Sequence, residues 1–436
     1  MTPSLRILGR DSKTAKNALS VLSAALRQHE RAARPGAAAL DMRFPQKGEP
    51  LREALEEATR DGVRTLVLWS FYSTELADAL PEIHALRSAF EGAPILHLAG
   101  GPHASAEPEA TLREGFDWVA IGEGEKTIEG FVDALLEGAD PARTAGIGRL
   151  DDGGDYRSTG QGEKIELDDY PAFNVPDRRF NAIEITRGCI YACSFCQTPY
   201  MFKAKFRHRS IANVREHVRM HTRENLRHVR FVTPTSLSYG ADGETPNLEA
   251  VEGLLAACRE ELGPEGKIFF GTFPSEVRPE HVTDEAMRIL RRYVDNDNLV
   301  IGGQSGSNRV LASALRGHTV EDVTRACEIA IAHGFKPNID LLFGLPGEET
   351  EDVEATRRLL QTLEDKGARV HTHTFMPLPG TPLKRAPAGS VAPELERDVN
   401  RLEARGRSYG NWRDQLELAR SLESRQTPRR RLPVRS

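Results

Sequence analysis

Apolar residues in the front of the chain arrange themselves into short buried runs and helical stripes. A run at 5–9 (LRILG) precedes apolar residues at helical spacing over 13–28, through Leu19, Leu22, Ala25 and Leu26. Residues 50–60 again read as helix. TLVLWSF at 65–71 does not alternate, which predicts a strand buried on both faces. A helix over 75–90 leads to PILHLAGGPH, a strand ending in Gly100 and Gly101. A helix at 108–114 then precedes FDWVAIGEGE, strand followed by glycine turn, and a helix over 126–137. This alternation predicts an α/β fold in which residues 1–140 form a Rossmann-like open parallel sheet. Ligands of such sheets lie across the carboxyl ends of the strands, where Ser70, Tyr72, Gly100, Gly101, Gly122 and Glu123 fall.

The pattern fades over 141–180, where DDGGDYRSTGQGEK predicts an exposed hairpin or linker. From 181 to 383 strand and helix alternate again. NAIEITRG (181–188) is a strand, and 210–223 is an amphipathic helix with Ser210 at its N-cap. HVRFVTPTSLSYG, KIFFGTFPSEV, NLVIGGQSGS, PNIDLLFGLPGE and VHTHTFMPLPG are further strands, with helices at 247–261, 284–293, 320–333 and 350–366 between them. Six strand–helix units result. Beyond 383 only helix is expected: a helical extension over 384–423 and a basic, disordered tail over 424–436.

Composition narrows the class. With 436 residues, 39% hydrophobic and 28% charged, the chain is a globular protein of two or three domains. Its net charge of −6 argues against a nucleic-acid binder held by electrostatics. No apolar run approaches the roughly 20 residues that span a bilayer, and the start has no signal architecture. A cytoplasmic location without membrane contact is expected. Three of the five cysteines are grouped, which suits a metal site in a reducing compartment rather than a disulfide frame. Cys258 and Cys327 sit in apolar-periodic stretches and read as helix-core residues.

The grouped three, Cys189, Cys193 and Cys196, lie in TRGCIYACSFCQTP with spacing C-x-x-x-C-x-x-C. Three thiolates cannot complete a four-thiolate zinc tetrahedron, but they can hold three corners of a [4Fe–4S] cluster and leave one iron open. With an aromatic at Phe195, the motif resembles that of the radical S-adenosylmethionine (SAM) enzymes. The resemblance implies a partial (β/α)6 barrel, a [4Fe–4S] cluster, SAM, and a low-potential electron donor of the flavodoxin or ferredoxin kind. It assigns Phe195 to the adenine, Thr235 to the turn after the second strand, Gln304 and Ser305 to ribose and carboxylate, and Arg316 to the SAM carboxylate. Gly344 is expected to pack on the adenine and Met376 to offer backbone to its edge. TPTS at 233–236 departs from the GGE-like turn of the family. Tyr200, His208, Tyr239, Glu276, His371 and His373 are substrate-lining candidates by position.

LAGGPHASAEPE and FDWVAIGEGE resemble the cobalamin-binding domain that precedes the barrel in one large class of these enzymes. The resemblance turns Ser70, Tyr72, Gly100, Gly101, His103, Gly122 and Glu123 toward cobalamin. The D-x-H-x-x-G motif that supplies an axial histidine elsewhere is absent, and His103 is read as a turn or tail contact rather than a metal ligand. Segments QSGSNRVLASALRGH, FGLPGEETED and FMPLPGTPL resemble the methylthiotransferase-type barrel. The reading is reductive cleavage of SAM, with cobalamin-dependent methyl transfer or another carbon-centred radical reaction on an unknown substrate. A methylthiotransferase-like modifier of RNA or protein, and a non-catalytic iron–sulfur carrier, are the alternatives.

Overall fold

The computed structural model describes residues 5–34 and 40–426, so the tail expected at 424–436 lies outside the described residues from 427 on. The chain forms two compact units: one from the start to 187 with 207–232 and 260–266, the other comprising 188–206, 233–259 and 267 onward.

The first unit is built on a seven-stranded sheet. Its elements in chain order are β1 (Arg6–Gly9), α1 (Lys16–Ala33), β2 (Asp41–Arg43), α2 (Glu49–Arg60), β3 (Thr65–Ser70), α3 (Leu76–Ala89) and β4 (Ile95–Gly100). After these come α4 (Gly101–Ala106), α5 (Pro108–Arg113), β5 (Trp118–Ala120), α6 (Glu125–Glu137), β6 (Ile147–Leu150) and β7 (Tyr156–Ser158). Strand order is β2-β1-β3-β4-β5-β6-β7, with β1–β5 parallel and the last two antiparallel. All six residues of β3 are buried, as a strand covered on both faces requires. Fully burying a side chain such as Leu66 stabilises by about 1.5–3 kcal/mol. The segment read as a hairpin or linker is a hairpin: β6 and β7 extend the sheet, so its far edge is antiparallel rather than parallel.

The same unit holds β8 (Ile183–Glu184), β9 (Thr186–Arg187), β10 (Arg207–His208) and β11 (His228–Val232). The single strand expected at 181–188 is broken in two: β8 pairs in parallel with β11, whereas β9 pairs antiparallel with β10. Ser210 caps the helix Ile211–Arg223 by accepting from the N–H of Asn213 at 3.2 Å.

The second unit contains β12 (Lys267–Phe269) and a parallel four-stranded sheet, β13 (Asn298–Gln304), β14 (Lys336–Phe343), β15 (Arg369–Thr374) and β16 (Ser408–Gly410). Helices Val320–Ala332 and Thr350–Asp365 connect β13 to β14 and β14 to β15, as the alternating pattern predicts. One element corrects the expectation of helix alone beyond 383. Between helices Pro393–Ala404 and Trp412–Gln426 the three residues of β16 pair with β15, Ser408 against Val370 and Tyr409 against His371. Three residues are too few to show a period. Among the described residues no helix is long and apolar enough to cross a membrane.

Candidate functional site

In the second unit the cysteine loop begins at Gly188, whose φ of +82° belongs to glycine and where a Cβ would lie 2.1 Å from the carbonyl oxygen of Lys205. Cys193 is buried and Cys189 and Cys196 are half-buried. Burial, with repulsion from the other two cysteines, pushes the Cys189 thiol up to about 11, and burial raises that of Cys196 as well. The backbone of Tyr191 opposes this at Cys189, and the backbone and hydroxyl of Thr198 at Cys196, by hydrogen bonding to sulfur. Cys189 and Cys196, whose thiols burial pushes up while hydrogen bonds to sulfur oppose it, stand in one loop with Cys193, and three such sulfurs fit a highly charged cationic centre, which deprotonates its ligands outright. The donor set therefore suits an iron–sulfur cluster.

Arg316 reaches this loop from the segment after the helix Asn308–Ser313. Its Nη1 donates to Cys193 Sγ at 3.3 Å and its Nη2 to the carbonyl of Gly302 at 2.9 Å, while its Nε is buried with no hydrogen-bond partner among the described residues. Arg278 braces the pair. Its guanidinium lies 3.6 Å from the ring centroid of Tyr191 and donates to the carbonyl of Arg316. The Tyr191 hydroxyl lies 3.0 Å from His281 Nε2. Tyr200 braces the loop too, donating to the carbonyl of Ala192 at 2.7 Å.

A cavity of about 210 Å³ lies beside the loop, lined by Phe195 together with Gln304, Met376, Glu276, Asp340 and His373, among others. Gln304 ends β13 at a shift of register and with φ of +69°, a strained conformation of the kind that functional sites hold. Three residues expected to contact SAM, Phe195, Gln304 and Met376, are thus brought to one cavity. Ser305 and Gly344 are not among its lining. The Ser305 hydroxyl accepts from the N–H of Ser307 at 3.2 Å, and Gly344 packs so tightly on Ser390 that a Cβ would lie 2.4 Å from its nitrogen. Thr235 is buried, with its hydroxyl unpartnered among the described residues, and Tyr239 is buried. His208, in the first unit, faces the Thr186 hydroxyl at 3.0 Å. Asp340 and Gln415 escaped the sequence reading. Both sit in runs that look like ordinary strand and helix, and only strand register reveals their neighbours.

The first unit presents the other expected site at the carboxyl edge of its sheet. Ser70 and Gly100 are register partners at the ends of β3 and β4, and Tyr72 beyond Ser70 is 46% exposed. The N–H of Gly122 donates to Ser105 Oγ at 3.0 Å, and at Gly101 a Cβ would lie 2.9 Å from Ser70 Oγ. These bring Ser70, Tyr72, Gly100, Gly101 and Gly122 to one edge where backbone lies close to the surface. Glu123 corrects the expectation. Its carboxylate accepts from Arg187 Nη1 at 3.0 Å, from Arg207, and from the N–H of Ile165 at 3.4 Å. A buried carboxylate needs cations, and two arginines take it up. His103 is buried in α4, stacked on Phe71 with its Nδ1 2.9 Å from the Ser73 hydroxyl. An edge of small residues and an exposed tyrosine would suit cobalamin, and His103 is turned inward from it.

Residues 183–360 match the radical SAM superfamily, and residues 10–132 match the B12 binding domain. The chain joins a B12-binding domain to a radical SAM domain. The radical SAM domain implies [4Fe–4S] and SAM as cofactors together with a source of reducing electrons, and the B12-binding domain implies cobalamin. Among curated proteins, an uncharacterized methyltransferase from Pyrococcus horikoshii is 26% identical over 66% of this chain and 62% of its own length. A tRNA-2-methylthio-N(6)-dimethylallyladenosine synthase from Sulfurihydrogenibium is 27% identical over 54% of this chain and 52% of its own length. The chain thus spans less than two thirds of these relatives. Two solved structures share the fold of this chain. TsrM from Kitasatospora setae, with cobalamin and [4Fe–4S] cluster bound, aligns at a TM-score of 0.66 and 17% identity over 88% of this chain and 75% of that one. The cobalamin-dependent enzyme OxsB, with aqua-cobalamin bound, aligns at 0.63 and 17% identity over 82% and 52%.

Proposed function

We propose that this chain is a cobalamin-dependent radical SAM enzyme that transfers a methyl group to its substrate or carries out another carbon-centred radical modification of it. Phe195 carries this reading: it stands between two cluster cysteines in sequence and lines the cavity that Gln304 and Met376 share. Cys189, Cys193 and Cys196 hold the cluster, and Phe195, Gln304 and Met376 hold SAM beside it. Arg316 reaches the loop as a fixed cation, with Thr235 in the same unit. Ser70, Tyr72, Gly100, Gly101 and Gly122 hold cobalamin. When bound, the cluster and SAM supply a carbon-centred radical and cobalamin a transferable methyl group. The chain's part is to position these groups and keep water from them. The electron donor is of the flavodoxin or ferredoxin kind, and the protein works in the cytoplasm.

Methylthiotransfer is disfavoured by the remaining sulfurs. Cys258 and Cys327 are fully buried on two separate helices and do not supply a second cysteine trio that could hold a sulfur-donating cluster. The test is anaerobic reconstitution with SAM and dithionite. 5′-Deoxyadenosine, or a methylated product with S-adenosylhomocysteine, should form only with the three cysteines intact, and one cobalamin should bind per chain. Cys193→Ala should abolish both the visible absorption of the cluster and SAM turnover. Turnover that persists in that variant would overturn the assignment.

A further inference from the structure

Glu276, Asp340 and His373 line the second unit's cavity, and His371 stands against Asp340 beside it. Asp340 and His371 are register partners across β14 and β15, so their side chains leave adjacent strands side by side, and His373 is two residues further on. His371 Nδ1 lies 2.9 Å from Asp340 Oδ1, and His373 Nε2 lies 3.2 Å from His371 Nδ1.

The proton positions follow from the far end of this chain of contacts. The backbone N–H of Thr374 donates to Gln415 Oε1 at 2.8 Å, which fixes the amide so that its Nε2 donates to His373 Nδ1 at 3.3 Å. His373 Nδ1 is thereby an acceptor, and a neutral ring carries its proton on Nε2. That proton points at His371 Nδ1. Two acceptors, His371 Nδ1 and Asp340 Oδ1, are then left 2.9 Å apart. The contact is repulsive unless a proton lies between the two atoms, on His371 Nδ1 or on Asp340, or a cation enters from outside.

Two further groups deepen the deficit. The Glu276 carboxyl lines the same cavity and makes no side-chain hydrogen bond among the described residues. Burial first, then the charge of Asp340, pushes it up to about 8, with Arg316 opposing. Asn338, 5% exposed and two residues before Asp340 on the same face of β14, has an Oδ1 without a partner among the described residues. The neighbouring cations do not meet the need. Arg316 is committed to Cys193 and Gly302, while Arg369 lies 4.8 Å over the ring of Tyr409, whose other stacking partner is His371 at 4.5 Å.

We propose that this part of the cavity is the substrate's recognition subsite and that it takes a basic nitrogen, an ammonium or guanidinium group entering in place of the proton held between Asp340 and His371. The inference rests on the enzymatic reading above and names its substrate class. Leu342 and Leu378 line the same cavity and suit the hydrocarbon part of such a molecule. A divalent metal on Asp340, His371 and His373, whose donor atoms lie within 4.8 Å of one another, is less well served. It would need a lone pair on His373 Nε2, where the Gln415 amide calls for a proton.

The test is calorimetric titration of the cluster-reconstituted full chain with benzylammonium, benzyl alcohol and benzoate, with and without SAM, between about pH 6 and about pH 8. Benzylammonium alone should bind, roughly tenfold tighter at the upper pH, with a heat that tracks the ionisation enthalpy of the buffer because a proton leaves. Asp340→Asn and Glu276→Gln should each weaken it by about tenfold or more while keeping the cluster absorption. Should either variant misfold, the ligand and pH series on the unaltered protein decides alone. Equal binding of the alcohol or benzoate, a pH-independent affinity, or displacement of the amine by SAM would overturn the proposal. So would stoichiometric Mn²⁺ binding that Asp340→Asn abolishes, which would make the cluster a metal centre. A protein that turns over SAM yet ignores benzylammonium sinks this inference alone, whereas one that binds the amine but never turns over SAM sinks the enzymatic reading instead.

Discussion

Arg316 Nη1 donates to Cys193 Sγ across 3.3 Å, and the same guanidinium is anchored through Nη2 on the carbonyl of Gly302. A charged N–H aimed at a ligand sulfur stabilises the more negative, reduced form of an iron–sulfur cluster and raises its potential. Hydrogen bonds to charged groups contribute about 1.5–3 kcal/mol. Arg316→Met should therefore lower the cluster's midpoint by roughly 60 mV or more and slow SAM cleavage under a weak reductant about tenfold. A redox titration followed by electron paramagnetic resonance reads the first effect. An unchanged midpoint at full cluster content would show that Arg316 acts on packing instead.

Gly188 sits where no other residue fits, since the oxygen of Lys205 would meet its Cβ at 2.1 Å in a left-handed backbone. Gly188→Ala must shift the backbone that delivers Cys189. The expected result is iron content after reconstitution at a small fraction of the unaltered protein, with the far-ultraviolet circular dichroism little changed. Normal iron loading would mean that the loop forms independently of this close approach.

The cysteine loop and the succession of strand and helix were legible in the chain because they are local: a spacing of three sulfurs, a glycine before the first, apolar runs of strand length. What escaped depends on pairs far apart in sequence. Glu123 reads as the end of a glycine turn facing a ligand, and only the approach of Arg187 and Arg207 from more than sixty residues away turns it into an ion-pair partner. β16 is three residues long and has no period of its own; it exists because Gly410 can lie against Thr372, whose oxygen would be 2.2 Å from any Cβ there. The partnership of Asp340 with His371 is likewise a fact of register between two strands. Gln304 was placed by resemblance, but its strained backbone was not foreseeable from residue type.

Arg187 bridges Glu123, Glu125 and Glu184 within the first unit, at 3.0 Å, 2.7 Å and 2.7 Å. Burial alone would neutralise Glu125, but the charge and hydrogen bonds of Arg187 outweigh it and hold the carboxyl below its ordinary range. Removing the guanidinium leaves buried carboxylates facing one another, which costs about 3–5 kcal/mol. Arg187→Met should lower the urea midpoint of the protein correspondingly, and adding Glu125→Gln should restore part of the loss. An additive double variant would show that the two groups are not coupled.

Three histidines make the first unit sensitive to acid. His97 Nδ1 accepts from the indole N–H of Trp69 at 3.1 Å, and burial pushes its pKa down to about 3. His217 Nε2 accepts from the N–H of Ala172 at 2.9 Å, and His221 stacks on Phe173 at 4.5 Å; burial pushes each down to about 4. Their folded values lie below the ordinary 6.5, so the unfolded chain takes up protons first as the pH falls. The stability they contribute is whole above about pH 6.5 and is lost on descending from there toward about pH 4, at about 1.4 kcal/mol per pH unit for each ring. Urea titrations followed by tryptophan fluorescence, to which Trp69 beside His97 contributes, should show the midpoint falling across that interval. His217→Gln should flatten the slope by one proton. A midpoint that stays level from pH 6.5 to 4, or a variant with the full slope, would mean that these rings are already protonated in the folded chain and that the Trp69 and Ala172 hydrogen bonds do not hold them neutral.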